Sequence, residues 1–343
     1  MKFSDVLEIK NGRNQRAVEN SNGKYPIYGS GGMMGYADDY ICEAQTVIVG
    51  RKGSINNPLF VNEPFWNVDT AFGLCARKEV LLPRYLYFFC RKFDFERLNK
   101  AVTIPSLTKS DLLNIEIELP DLTKQQKVVD KLSKIEHIIE LRKQVLQKLD
   151  EFIKARFIEL FGDPISNPKG WKTDKAENHI DLLSGFPFDS SKYTESGVNI
   201  CGGLIIMPQR IEWKDCKHWG GVDGYEEYIL RENDIVIALD RPWISEGFKI
   251  AMVDAEHLPA LLIQRTARIR AMGINQFYLM HCFLLGGFDK HCNVTGSLVP
   301  HISAKDIRSF TIMIPPLELQ QQFAAFVAQT DKSKVTNQAS QKL

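Results

Sequence analysis

A gapless internal repeat constrains this chain more than any other feature. Residues 104–126 match residues 299–321 at a constant shift of 195 positions: Pro105 falls on Pro300, Asp111 on Asp306, Pro120 on Pro315 and Gln126 on Gln321. A long-period repeat means two copies of one structural unit, and it governs how everything else is read. Each copy opens with a short helix or turn around its aspartate. Ile115, Ile117 and Leu119, like Phe310, Ile312 and Ile314, then alternate as in a half-buried strand. A proline ends the strand and Gln-Gln opens a helix. Weaker echoes lie upstream: Val47-Ile48-Val49-Gly50-Arg51 with Ile235-Val236-Ile237-Ala238-Leu239, Arg84-Tyr85-Leu86 with Phe277-Tyr278-Leu279, and Lys10-Asn11-Gly12 with Leu183-Ser184-Gly185. The residues between them differ greatly. Two copies of one scaffold with different interiors suit a protein that recognises two things in the same way.

At 343 residues the chain is comfortable for two domains that need no metal or disulfide. Lys plus Arg (43) nearly cancels Asp plus Glu (42), so any DNA binding rests on local patches or on partners. No run approaches the ~20 apolar residues of a membrane span and no signal-peptide core is present, which predicts a cytoplasmic protein with no membrane contact. Seven scattered cysteines without a Cys-x-x-Cys read as buried thiols.

From Leu122 to Phe161 there is neither Pro nor Gly, and Val128, Leu132, Ile135, Ile139, Leu146, Leu149, Ile153 and Leu160 recur at heptad-like steps. A helix of that length spans roughly 60 Å. Its seam needs a partner, and the repeat supplies one from Leu317 through Phe323, Phe326 and Val327, predicted to pack antiparallel. Beyond Thr330 seam residues are scarce, so the second helix is expected to be short. Phe161-Gly162-Asp163-Pro164 through Trp171 reads as helix stop and linker. The predicted plan is an α+β chain: a mixed α/β domain over 1–119, a helix over 120–161, a linker over 162–172, a second domain over 173–314 and a distal helix over 315–343.

This order, with its Phe-Gly-Asp-Pro and Asn-Pro-Lys-Gly-Trp linker and its Leu-Glu-Leu-Gln-Gln-Gln helix start, resembles the specificity subunits of type I restriction-modification systems over essentially the whole chain. The resemblance implies two target recognition domains held apart by an antiparallel coiled coil of conserved helices, each reading one half of a split site in double-stranded DNA. It also implies two modification subunits that use S-adenosylmethionine to methylate adenine at N6, and restriction subunits that use ATP and Mg to translocate and cleave. No cofactor, metal or catalytic residue is then expected in this chain. One departure is the short distal helix.

The residues agree with a binding role. An adenine amino-methyltransferase motif of the Asn-Pro-Pro-Tyr type is missing, as are Gly-x-Ser-x-Gly and His-Glu-x-x-His. Gly29-Ser30-Gly31-Gly32-Met33-Met34-Gly35 lacks the Gly-Lys-Ser/Thr ending of a phosphate loop and reads as a turn or DNA-facing loop. His281-Cys282 and His291-Cys292 match no usual zinc spacing. A base reader needs Arg, Lys or amides on loops, backed by small residues that let backbone approach phosphate. The candidates are Arg13, Arg16, Lys24, Tyr28, Ser30, Arg51, Lys52 and Ser54 in the first half, and Lys192, Tyr193, Arg241 and Trp243 in the second. Thr103, Ser106 and Lys109, with Ser297, His301 and Lys305, form a candidate second edge. Two other readings stay open at this point: a stand-alone DNA-modifying enzyme and a coiled-coil scaffold that binds only proteins.

Overall fold

The computed structural model describes residues 1–99, 104–292 and 300–339. The chain divides into two units, Met1–Leu141 and Arg142–Leu343, with the boundary inside the long helix and not at the linker the sequence suggests. Packing explains the shift: Gln125 and Val129 of that helix are buried in the first unit, Ile153, Phe157 and Phe161 in the second.

The first unit holds strands β1 (Leu7–Asn11), β2 (Tyr25–Gly29), β3 (Gly32–Ala37), β4 (Thr46–Gly50), β5 (Leu59–Val61), β6 (Trp66–Asn67) and β7 (Ala71–Ala76). Its helices are α1 (Phe3–Val6), α2 (Pro83–Lys92), α3 (Lys109–Leu113) and the start of α4 (Leu122–Phe161). An antiparallel sheet has the order β1-β7-β4-β5, and a smaller one the order β3-β2-β6 with β2 and β6 parallel. Every residue of β4 is buried because both faces are covered. Val47 and Val49 meet Leu86 and Cys90, which share one face of α2, while Ile48 faces Cys42, Val61 and Phe65. Proline at the start of α2 and Arg91 and Lys92 in its last turn suit the two ends of a helix.

The second unit holds β8 (Thr173–Lys175), β9 (Ile180–Ser184), β10 (Val198–Cys201), β11 (Ile206–Met207), β12 (Arg210–Ile211), β13 (Lys217–Trp219), β14 (Ile235–Ala238), β15 (Trp243–Ile244), β16 (Gly247–Phe248), β17 (Ile250–Met252), β18 (Ala260–Leu262), β19 (Thr266–Ala271) and β20 (Thr311–Met313). Helices α5 (Gln276–Leu285), α6 (Phe288–His291), α7 (Ala304–Ser309) and α8 (Leu317–Ala339) accompany them. The main antiparallel sheet runs β17-β14-β19-β9, and β14 is again buried on both faces. Ile235 and Ile237 turn toward α5 and α8; Val236 and Ala238 turn toward Cys201, Trp213 and Leu262.

Within this unit the end of α4 packs antiparallel on α8, as the repeat predicts. Phe161 and Phe157 meet Phe323 at 5.7 and 5.4 Å, Phe152 meets Phe326 at 4.9 Å, and Lys334 reaches Asp150 at 2.7 Å. Two expectations are corrected. The heptad seam is not covered along its whole length, since Val128, Ile135 and Ile139 are exposed. The predicted strand at 115–119 is a single bridge between Lys2 and Glu116, whereas its counterpart β20 pairs fully with β8. All seven cysteines are free thiols, four buried and three half-buried.

Candidate nucleic-acid interface

In both units the loop after the buried central strand is held by the same backbone bonds. In the first, Leu107 N–H donates to Arg51 O at 2.9 Å, Gly53 N–H to Pro105 O at 3.0 Å and Arg51 N–H to Thr70 O at 2.7 Å. In the second, Ile302 N–H donates to Leu239 O at 2.9 Å, Arg241 N–H to Pro300 O at 2.7 Å and Leu239 N–H to Arg265 O at 2.9 Å. Bridges from Lys52 to Ser106 and from Asp240 to His301 complete the match. Arg51 therefore corresponds to Leu239, Lys52 to Asp240 and Gly53 to Arg241. Arg51 on Leu239 is the register that the echo of residues 47–51 in 235–239 predicts, and it sets Asp240-Arg241 on Lys52-Gly53. Gly53 has φ 79° and Arg241 has φ 45°. An arginine in left-handed backbone costs about 1–2 kcal/mol, and strain of this kind collects at functional loops.

A second strand exit in each unit, after β1 and after β9, is anchored alike. A Cβ on Gly12 would sit 1.7 Å from Val68 O, and one on Gly185 1.9 Å from Ile263 O, so neither position admits a side chain. These glycines bring the exits of β1 and β9 against the segments that lead to Thr70 and Arg265.

In the first unit the turn after β2 joins this edge: a Cβ on Gly50 would lie 3.1 Å from Ser30 Cβ. Ser30, Arg51, Lys52, Ser54 and Ser106 thus converge. Arg13 lies beside them, its N–H bonded to Asn67 O at 2.8 Å and its carbonyl accepting from Trp66 Nε1 at 3.0 Å. Arg51 is exposed, with its guanidinium 5.8 Å above the Phe72 ring. Lys24 and Arg16 are not part of the cluster. Lys24 precedes β2 while Ser30 follows it, a separation of about 20 Å at the rise of a strand. Arg16 belongs to the turn that bonds β3 at Ala37 and Asp38, the same far end. Tyr28 packs edge-on to Phe65 at 5.6 Å, and burial pushes its hydroxyl above the ordinary tyrosine range. Lys109 Nζ donates to Ile9 O at 2.8 Å, a bond that holds α3 on β1.

In the second unit the equivalent edge opens into a cleft of about 520 Å³ lined by Tyr193, Gly203, Leu204, Asp240, Arg241, Lys249, Gln264 and Arg265 among others. Arg265 is exposed and pairs with Asp240 at 3.2 Å. Lys249 is buried and donates through Nζ to Gly203 O; burial, with Arg241 nearby, holds its ammonium below the usual lysine range. Tyr193 meets Trp219 edge-on at 6.3 Å, and Lys192 is exposed just before it. Trp243 is half-buried, stacked on Phe248 at 5.2 Å and reaching Phe288 at 6.4 Å, so its ring belongs to the core. His301 and Lys305 are exposed beside the cleft loop and on α7. Thr103 and Ser297 lie outside the described residues.

Sequence reasoning missed Leu204, Lys249 and Arg265. The available signals were a Gly-Gly pair before Leu204 and a polar Gln264-Arg265 pair interrupting two apolar strands. Among the described residues no group of three or more His, Cys, Asp or Glu is placed to hold a metal ion. His281 stacks on Phe157 and His291 bonds Asp306 O at 3.1 Å, both packing roles. Among the described residues no helix is long and apolar enough to cross a membrane.

The type I restriction modification DNA specificity domain matches this chain over residues 1–151 and 215–343. The chain belongs to that family. Among relatives, the specificity subunit of the type I restriction enzyme EcoAI from Escherichia coli is 34% identical over 152 residues, 42% of this chain and 25% of that protein. The MjaVIII specificity subunit from Methanocaldococcus jannaschii is 24% identical over 301 residues, covering 82% of this chain and 68% of that one. The match thus spans a quarter of the first relative's length and about two thirds of the second's. The crystal structure of a type I S subunit from M. genitalium superimposes with a TM-score of 0.61 at 16% identity, covering 99% of this chain and 91% of the other, and shares its fold.

Proposed function

We propose that each unit reads one half of an asymmetric, two-part site in double-stranded DNA. The observation that carries this is the shared loop edge: one set of backbone bonds presents Arg51 and Lys52 in one unit and Arg241 and Arg265 in the other. Backbone and cations of this kind fix register on phosphates, while the side chains that differ between the units specify bases. Helix α4 carries buried residues of both units. Its exposed Ile135, Ile138 and Ile139 are apolar positions suited to docking two modification subunits. S-adenosylmethionine would reside in those subunits, and ATP and Mg in restriction subunits. Because the chain is near neutral overall, the partners supply part of the phosphate contact.

The test is co-expression with the modification subunit encoded beside this chain, followed by sequencing that detects N6-methyladenine in host DNA. Methylation at a single split motif, one half of which changes when either unit is exchanged, is the expected result. Association of the proteins without any methylated motif, or no association, would overturn the proposal.

A further inference from the structure

The turn after β2 and the turn after β10 are one turn built twice. Val68 N–H donates to Tyr28 O at 2.9 Å and Ile263 N–H to Cys201 O at 3.3 Å, in parallel pairs that register Tyr28 with Asn67 and Cys201 with Leu262. A Cβ on Gly29 would lie 3.2 Å from Val68 Cγ2; one on Gly202 would lie 3.1 Å from Ile263 Cγ2. Ser30 abuts Gly50, and Gly203 abuts Ala238, the residue equivalent to Gly50. Gly29-Ser30-Gly31 therefore corresponds to Gly202-Gly203-Leu204.

At the tip the two units part. Position 31 carries no side chain, and a Cβ there would meet nothing within 4 Å. Leu204 at the same place is 91% exposed. Packing requires neither residue, and a leucine left in water forgoes the burial that ordinarily favours it. The leucine is nonetheless held firmly. Ile205 and Ile206 N–H both donate to Gly202 O, at 3.1 and 3.3 Å, and buried Lys249 fastens Gly203 O. Arg241 and Arg265 line the same cleft and attract phosphate. An apolar tip cannot hydrogen-bond a base edge, and the apolar mark that base pairs show in the major groove is the C5-methyl of thymine.

We infer that Leu204 contacts a thymine methyl in the half-site of the second unit, while Gly31 leaves the corresponding position of the other half-site unread. The inference rests on the DNA-reading role proposed above. The experiment uses the full chain assembled with its modification subunit and duplexes carrying the mapped motif, each thymine replaced in turn by deoxyuridine, which lacks only that methyl. Binding by the native complex should weaken about fourfold at one thymine, the fold-change of one buried methyl-sized group. Leu204→Ala should bind the unmodified motif about fourfold more weakly and become indifferent to deoxyuridine there, with thermal unfolding nearly unchanged because the side chain is exposed. An even response to deoxyuridine at all thymines, or the same single-site response in both proteins, overturns the inference. If the native complex recognises no split motif, the reading role itself falls, and this inference with it.

Discussion

Gln125 and Gln320 make the same pair of bonds in their respective units. Gln125 Nε2 donates to Pro120 O at 2.8 Å while its Oε1 accepts from Leu82 N–H, at the start of α2, at 2.9 Å. Gln320 Nε2 donates to Pro315 O at 2.8 Å while its Oε1 accepts from Asn275 N–H, at the start of α5, at 2.8 Å. Each glutamine is almost fully buried and ties three parts together: the proline five residues before it, the helix near whose start it sits and the helix beside it.

Replacing Gln320 by Ala should therefore leave Asn275 N–H and Pro315 O buried without their partner. The expected cost is about 1–3 kcal/mol, read in urea as an earlier unfolding transition of the second unit. Four of the five tryptophans lie in that unit, so their fluorescence reports it. Gln125→Ala should move the other transition instead.

The glycines at the strand exits admit no side chain. Gly12→Ala and Gly185→Ala each drive a methyl into a backbone carbonyl, and the backbone must shift to relieve it. A loss of about 1–3 kcal/mol is expected for the affected unit, measured by chemical denaturation. Wild-type stability in either variant would show that the close approach is not maintained in solution.

Cations at the loop edges should act on DNA affinity without changing sequence preference. Arg51→Ala, Lys52→Ala and Arg265→Ala should each weaken the assembled complex on all sequences and reduce the slope of log affinity against log salt by about one. Titrations at several salt concentrations decide this. A changed motif with an unchanged slope would instead make the residue a base reader.

His281 gives a pH dependence with a definite sign. Burial against Phe157 and Phe323 holds its imidazole at about 4, below the ordinary 6.5, although Nδ1 donates to Phe277 O at 2.8 Å. Between those values the unfolded chain binds a proton that the folded chain does not. Stability of the second unit should fall as pH drops from about 6.5 toward 4, by at most on the order of 3 kcal/mol. Unfolding midpoints across that range should slope less steeply in His281→Gln.

Much of this architecture was legible because its carriers are residue types with narrow uses. Pro315 follows strand β20 and precedes α8, Pro120 precedes α4, Gly162 ends α4 with φ 83°, and forty residues without Pro or Gly make one helix. The loop edges were legible in part: small residues beside Arg51 and Lys52 marked the first, and its counterpart was found by position after a strand. The register was legible as well, because the echo of residues 47–51 in 235–239 sets Arg51 on Leu239 just as the backbone bonds do; the bonds themselves were not, since backbone carries no sequence label. Lys109 and Trp243 have the side chains of a DNA reader, yet Ile9 O and the ring of Phe248 engage them. Leu204 was passed over for the converse reason, because an isolated leucine in sequence reads as core.

The turn tip shared by Gly31 and Leu204 has a consequence for how such proteins diverge. A site whose side chain is almost wholly exposed contributes little to folding, so substitutions there carry little thermodynamic penalty. The neighbouring glycines and the Lys249 anchor are in the opposite situation, since a side chain at Gly202 crowds Ile263 and loss of the Lys249 amine frees Gly203 O. Descent from a duplicated ancestor would then leave rigid surroundings nearly frozen while one protruding residue drifts freely, and new target preferences could arise by single codon changes.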